Sequence, residues 1–156
     1  KNYEGIILVN EQSVGNYTLE SLRDTTAVLL SNQDIFQGTL WENLTMCNVD
    51  SNLNEVNDLV VKLGLADFVQ SDKQGLHMLL DPVGKRLSKQ TKQKILVIRA
   101  LVGNHRLLLL EEPFEYLDKE SADTLMIWLK NLKNTTILIA SDDDSLSKEC
   151  DLVITL

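Results

Sequence analysis

Two adjacent carboxylates, Glu111 and Glu112, follow the run Leu107-Leu108-Leu109-Leu110 and precede Pro113. Four aliphatics ending in a turn signal read as a strand that is apolar on both faces. Such a strand sits centrally in a parallel sheet. In an open α/β sheet, ligands bind beyond the carboxyl ends of the strands. A carboxylate there can hold Mg²⁺, directly or through water. A second one beside it can act as general base on an attacking water. By themselves the two residues fit a loop of solvated acids approaching a helix equally well, so their surroundings must decide.

The hydrophobic period indicates the elements that would position the pair. Upstream, Ser88 caps a helix reaching about Leu101 and closed by Gly103. Downstream, Asp118 caps a helix whose apolar side carries Ala122, Leu125, Met126, Leu129 and Leu132. A strand over 135–140, a short helix over 146–149 and a final strand over 152–156 follow. Nearer the N-terminus, residues 5–9 read as a strand before a turn at Asn10-Glu11-Gln12, and residues 19–22 read as a short helical piece. Residues 26–30 form a second strand, and a helix starts at Leu40.

Residues 52–63 read as an amphipathic helix with Leu53, Val56, Val60 and Leu63 on one side. Asn52 and Glu55 have capping-box spacing, and Gly64 suits the position past the end. A helical turn over 65–69 and a loop over 70–85 complete this part. Helices and strands alternate through the second half, so the fold class is α/β with a parallel core sheet. The middle, about residues 40–103, is helical without a strand and reads as an inserted subdomain; the core is then 1–39 and 104–156, and 1–156 is one domain.

The chain has 156 residues, of which 44% are hydrophobic and 24% charged, enough for a real core. No apolar run approaches the roughly 18 to 20 residues that a bilayer span needs. The formal net charge of −8 argues against a nucleic-acid partner. Lys85, Arg86, Lys89, Lys92 and Lys94 read as the solvated start of a helix. Cys47 and Cys150 stand far apart and read as buried or half-buried thiols of a reducing compartment. His105 reads as a solvated surface residue, and Asp142-Asp143-Asp144 as a capping and solubilising cluster.

The segment around the two carboxylates resembles the ATPase domain of ABC transporters. That family shows Leu-Ser-Gly-Gly-Gln, Arg-Gln-Arg, an apolar stretch, Arg-Ala-Leu, a turn, four aliphatics, Asp-Glu, and a loop ending in Leu-Asp. Here the same spacing carries Leu87-Ser88-Lys89-Gln90-Thr91, Lys92-Gln93-Lys94, Arg99-Ala100-Leu101, Leu107-Leu108-Leu109-Leu110-Glu111-Glu112 and Leu117-Asp118. Ile35-Phe36-Gln37-Gly38-Thr39-Leu40-Trp41-Glu42-Asn43-Leu44 is similar to the Leu-Phe-x-Gly-Thr-Ile-x-Glu-Asn-Ile run of exporter-type members, and Leu19-Glu20-Ser21-Leu22-Arg23 to a Leu-x-x-Leu-Arg segment.

The resemblance implies a P-loop NTPase-like ABC fold and a role for each matching residue. Glu112 is the catalytic glutamate. Glu111 stands at the Mg²⁺-holding Walker B position, one methylene longer than the family's aspartate. Ser88 is the signature serine that caps nucleotide, and Asp118 the aspartate of the loop between two domains. ATP and Mg²⁺ are the implied cofactors. A transmembrane domain and a second nucleotide-binding domain are the implied partners, on the cytoplasmic side of the cell membrane.

The chain departs from the family at several positions. Lys89 and Gln90 replace the signature glycines, Ser31 stands where a glutamine is expected, and Ser141 or Asp142 where a histidine is expected. The 156 residues hold no Gly-x-x-x-x-Gly-Lys-Ser/Thr phosphate loop, which the resemblance places before Lys1. From this follow three expectations: a fragment that neither binds nor hydrolyses ATP alone and carries no bound cofactor, unpaired strand edges with an uncovered apolar face, and self-association through them. The alternative is a non-catalytic ABC-like interaction or regulatory module.

Overall fold

A computed structural model of the chain describes residues 5–48 and 50–155. The first elements are β1 (Leu8–Val9), β2 (Gln12–Ser13), α1 (Leu19–Thr25), β3 (Thr26–Leu29), β4 (Gly38–Thr39) and α2 (Leu40–Thr45). Next come α3 (Leu53–Lys62), α4 (Ala66–Gln70), β5 (Leu79–Leu80) and α5 (Lys89–Leu101). The last are β6 (Leu107–Glu111), α6 (Lys119–Asn131) and β7 (Thr136–Ala140).

The centre is a three-stranded sheet in the order β3–β6–β7, with both pairings parallel. The leucine run is therefore the central strand, as its composition predicts. Register decides which side chains share a face, because successive residues alternate across a strand. Ala27, Leu108 and Ile137 stand level, as do Leu29, Leu110 and Ile139. This face belongs to the core: Leu29 and Leu108 are each 1% exposed, and they join Ile95, Ile98 and Leu101 of α5 and Leu125 and Leu129 of α6.

Val28, Leu109 and Leu138 stand level on the opposite face. Val28 is 38% and Leu138 57% exposed. The predicted burial of β6 on both sides is thus met on one side only among the described residues. The predicted uncovered apolar face is the other.

Local chemistry explains the helix ends. The Ser88 Oγ accepts the Thr91 N–H at 3.0 Å, and Asp118 Oδ1 accepts the Ser121 N–H at 2.9 Å, so both predicted caps form. In α3 the Asn52 carboxamide accepts from the Asn54 N–H at 2.9 Å, but the predicted box does not close. Glu55 reaches instead to the Gly103 N–H at 2.9 Å, tying α3 to the end of α5. The apolar stripe of α3 is Val56, Leu59 and Val60, all buried, whereas Leu53 is exposed. Leu63 just past the helix is buried too. A complete box forms at α2, where the Glu42 carboxylate accepts the Thr39 N–H at 2.6 Å and Thr39 Oγ1 accepts the Glu42 N–H at 3.1 Å. A Cβ at Gly38 would lie 2.8 Å from the Glu42 carboxylate, so a side chain there would displace the cap.

Three predicted elements are corrected. The strand over 5–9 shrinks to Leu8–Val9, because among the described residues it pairs with Gln12–Ser13 alone, across a turn before the chain curls at Val14–Asn16. The strand over 152–156 does not form among residues 152–155, which find no neighbouring strand and stay exposed; Leu156 lies outside the described residues. The middle does contain a strand: β5 pairs antiparallel with β4.

Candidate functional site

Glu111 ends β6, and its side chain reaches sideways across the sheet. Its Oε2 accepts the Ser31 N–H at 2.9 Å, which ties β6 to the segment leaving β3. Glu112 has a left-handed backbone, φ 45°, and its N–H donates to the Ala140 carbonyl at 2.9 Å. Its carboxylate faces the end of β7. Oε2 accepts the Ser141 hydroxyl and Oε1 the Asp142 N–H, both at 2.6 Å. From the other side Gln93 of α5 donates through Nε2 to the carbonyls of Glu112, at 3.0 Å, and Pro113, at 3.2 Å. Three parallel strand ends are therefore joined by two carboxylates.

Glu111 and Glu112 line a cleft of about 220 Å³ together with Ser31, Gln33, Lys89, Lys92, Gln93 and Tyr116. Lys89 lies over the Tyr116 ring, 4.7 Å from its centre, a cation–π distance. Lys92 pairs with Asp34 at 2.6 Å. Burial pushes the Asp34 carboxyl up, but the Lys92 hydrogen bond, the Ile35 N–H and the Lys92 and Arg99 charges together hold it below its ordinary value.

Behind the cleft, Arg99 clamps the loop that leaves Ser31. Its guanidinium donates to the Asn43 carbonyl at 2.7 Å, to Asn43 Oδ1 at 2.8 Å and to the Asp34 carbonyl at 3.1 Å. Asn43 in turn accepts from the Phe36 N–H at 3.1 Å and donates to the Phe36 carbonyl at 3.0 Å. Arg99 and Asn43 fall inside sequence runs that signal the family, but their shared task was not legible from either run. Pairing across 56 positions depends on how α2 packs against α5.

The structure separates the four predicted site residues. Glu111 and Glu112 share the cleft. Ser88 lies at its rim: the exposed hydroxyl is engaged with Thr91, and the next residue, Lys89, lines the cleft. Asp118 belongs to a different cluster. Its carboxylate receives Lys94 Nζ at 2.8 Å, Gln90 Nε2 at 2.6 Å and the Ser121 hydroxyl at 2.9 Å. Lys94, itself buried, also donates to the Gly64 carbonyl at 3.3 Å. Gly64 has φ 64°, and a Cβ there would lie 3.1 Å from Lys94 Nζ. The Lys94 and Ser121 hydrogen bonds hold the Asp118 carboxyl well below the usual carboxylate range. Asp118 thus fastens α6, α5 and the end of α3 to one another.

Ser31 and Ser141, seen in the sequence only as departures, turn out to be the partners of the two carboxylates. Gln33, two residues past Ser31, lines the cleft and donates to the Val28 carbonyl at 3.2 Å. Two further expectations are corrected. Cys47 and Cys150 are both exposed. His105 is half-buried, with Nε2 2.8 Å from the Val102 carbonyl, because the turn entering β6 folds back on the end of α5.

An oxygen donor such as Glu111 suits a hard divalent cation. Its Oε1 has no hydrogen-bond partner among the described residues, and no cluster of three or more metal-ligating side chains occurs among them. Glu111 thus offers one free oxygen donor to such a cation, and the chain holds no glycine-rich loop to cradle phosphates.

Comparison with known proteins shows the family. The ABC transporter family model matches residues 1–115. A probable ABC transporter ATP-binding/permease protein of Haemophilus influenzae is 32% identical over 151 residues, covering 96% of this chain and 27% of that protein. The mitochondrial iron-sulfur clusters transporter ATM1 of Saccharomyces cerevisiae is 28% identical over 122 residues, covering 78% of this chain and 18% of that one. The structure of a bacterial Atm1-family ABC exporter with ATP bound superposes with a TM-score of 0.77 at 26% identity, over 88% of this chain and 25% of that chain. The chain therefore spans about a quarter of the length of such relatives. It belongs to the ABC transporter family, where it corresponds to the ATP-binding portion of exporter-type members.

Proposed function

We propose that this chain supplies the cation and water side of an exporter's ATP site, and that the phosphates are held by donors outside these 156 residues. The observation that carries this reading is the placement of Glu111 and Glu112 side by side at the carboxyl end of the central parallel strand. Glu111 would hold Mg²⁺ through a carboxylate oxygen. Glu112 would accept a proton from the attacking water. Ser88 would present the start of α5 to nucleotide from the rim, where backbone N–H groups and the helix dipole favour anions. Asp118 acts by fixing the junction of α5 and α6. The helical middle, residues 40–103, forms the inserted subdomain, with α5 as its bridge to the core sheet through β3.

In its full-length setting the chain would work beside a transmembrane domain and a second nucleotide-binding domain, on the cytoplasmic face of the membrane. Among the described residues no helix is long and apolar enough to cross a membrane. The test is nucleotide binding. The 156-residue chain should show no saturable binding of a fluorescent ATP analogue, and the full-length protein should bind it. Glu111→Ala should weaken that binding when Mg²⁺ is present and leave it unchanged in chelator. Tight binding by the chain alone, or none by the full-length protein, would overturn the reading. The second outcome would favour a non-catalytic interaction module.

A further inference from the structure

We infer that Lys89 and Gln90 are positioning residues: together they clamp the loop 113–118, which runs from Glu112 to α6, onto the start of α5. This clamp deepens the function proposed above and rests on it where nucleotide is concerned. In the sequence both positions are departures, standing where glycine is expected. Glycine has no side chain and could make neither of the contacts seen here. Gln90 Nε2 donates to Asp118 Oδ2 at 2.6 Å, and the Lys89 ammonium lies over the Tyr116 ring, 4.7 Å from its centre. Gln93, on the same side of α5 at spacings of three and four, donates to the carbonyls of Glu112 and Pro113. One side of the helix therefore grips the loop at its beginning, its middle and its end.

The loop has little else to hold it. Glu112 and Tyr116 both have left-handed backbones, φ 45° and 61°, which costs free energy in a residue other than glycine. The bonds within the loop are local: the Glu115 N–H donates to the Glu112 carbonyl and the Leu117 N–H to the Phe114 carbonyl, both at 3.2 Å. The two ties from α5 differ in strength. The Gln90 bond has an ionised acceptor and is half-buried, whereas Lys89 and Tyr116 are exposed. Gln90 is therefore the stronger tie. Glu112, assigned to the attacking water, begins the loop, and Ser88, assigned to nucleotide, begins the helix. Through Lys89 and Gln90 a displacement of one is passed to the other.

Hydrogen exchange on the full-length protein tests the clamp with Gln90→Leu, which removes the donor and keeps the size and helix tendency. Exchange in 113–118 should quicken about tenfold, the effect of losing one hydrogen bond to a charged group. Lys89→Met should quicken it about threefold, as suits an exposed cation–π contact. The later turns of α6 should not change in either variant. Unchanged exchange of the loop in Gln90→Leu would overturn the clamp. With Mg²⁺ and ATP, the parent should gain protection in 88–93 together with 109–116, and Gln90→Leu in 109–116 alone. Undiminished protection of 88–93 in that variant would overturn the coupling. No nucleotide effect on either segment of the parent would instead remove the ATP-site reading, and the exchange of the loop without nucleotide would still decide the clamp.

Discussion

The two faces of the central sheet have nearly the same composition and opposite surroundings. On one face Ala27, Leu29, Leu108 and Leu110 are packed under α5 and α6. On the other Val28, Leu30 and Leu138 are exposed, and an apolar cleft opens along Leu30, Leu109 and Leu138. Both faces are written for burial, and only the first is buried within the described residues. The hydrophobic face that already has its helices carries the stability of this chain. The bare face, with β7 at the edge of the sheet among the described residues, is the kind of surface through which copies associate.

Substitutions can break or sharpen that contrast. Leu108→Ala on the covered face should cost about 2–5 kcal/mol in urea unfolding, since it leaves a cavity beneath α5 and α6. An equal cost for Leu138→Ala would show that the second face is covered after all. At the junction behind the sheet, Lys94→Met should cost about 1–3 kcal/mol, because it leaves Asp118 and the Gly64 carbonyl short of a donor.

The same junction should report on pH. The Asp118 carboxyl lies below its unfolded value of about 3.9. Its contribution is therefore present above about pH 4 and is lost as the pH falls below that. Unfolding midpoints measured on either side should differ less in Asp118→Asn than in the parent chain.

Smaller effects belong to the periphery. Asn52→Ala removes the cap of α3 and should cost about 0.5–2 kcal/mol. Leu138→Ala should lie within about 0.5 kcal/mol of the parent. Leu138→Lys should be equally neutral for stability and should lower the apparent mass by light scattering if the bare face is where copies meet.

Much of this was legible in the residues. Four leucines ending in two acids specified a central parallel strand with two carboxylates at its end, because an apolar run of that length belongs inside a sheet. Ser88 and Asp118 were legible as caps, since capping is decided within one turn. What was not legible depends on distance. The Glu55 side chain has a cap position to fill three residues away and instead answers an N–H 48 residues on, because α3 packs beside the end of α5. Asp118 looked like an interface residue and is occupied by donors from 24 and 28 positions upstream. Ser31 and Ser141 looked like losses, and their partnership with Glu111 and Glu112 becomes visible only when three strand ends are placed side by side.

The most direct measurement is hydrogen exchange on the full-length protein with and without Mg²⁺ and ATP. Protection should appear in residues 29–33 and 109–116, the strand ends that frame the cleft, and should leave the outer turns of α3 and α6 unchanged. Nucleotide-dependent protection that skips both strand ends would contradict the assignment of Glu111 and Glu112 to the ATP site.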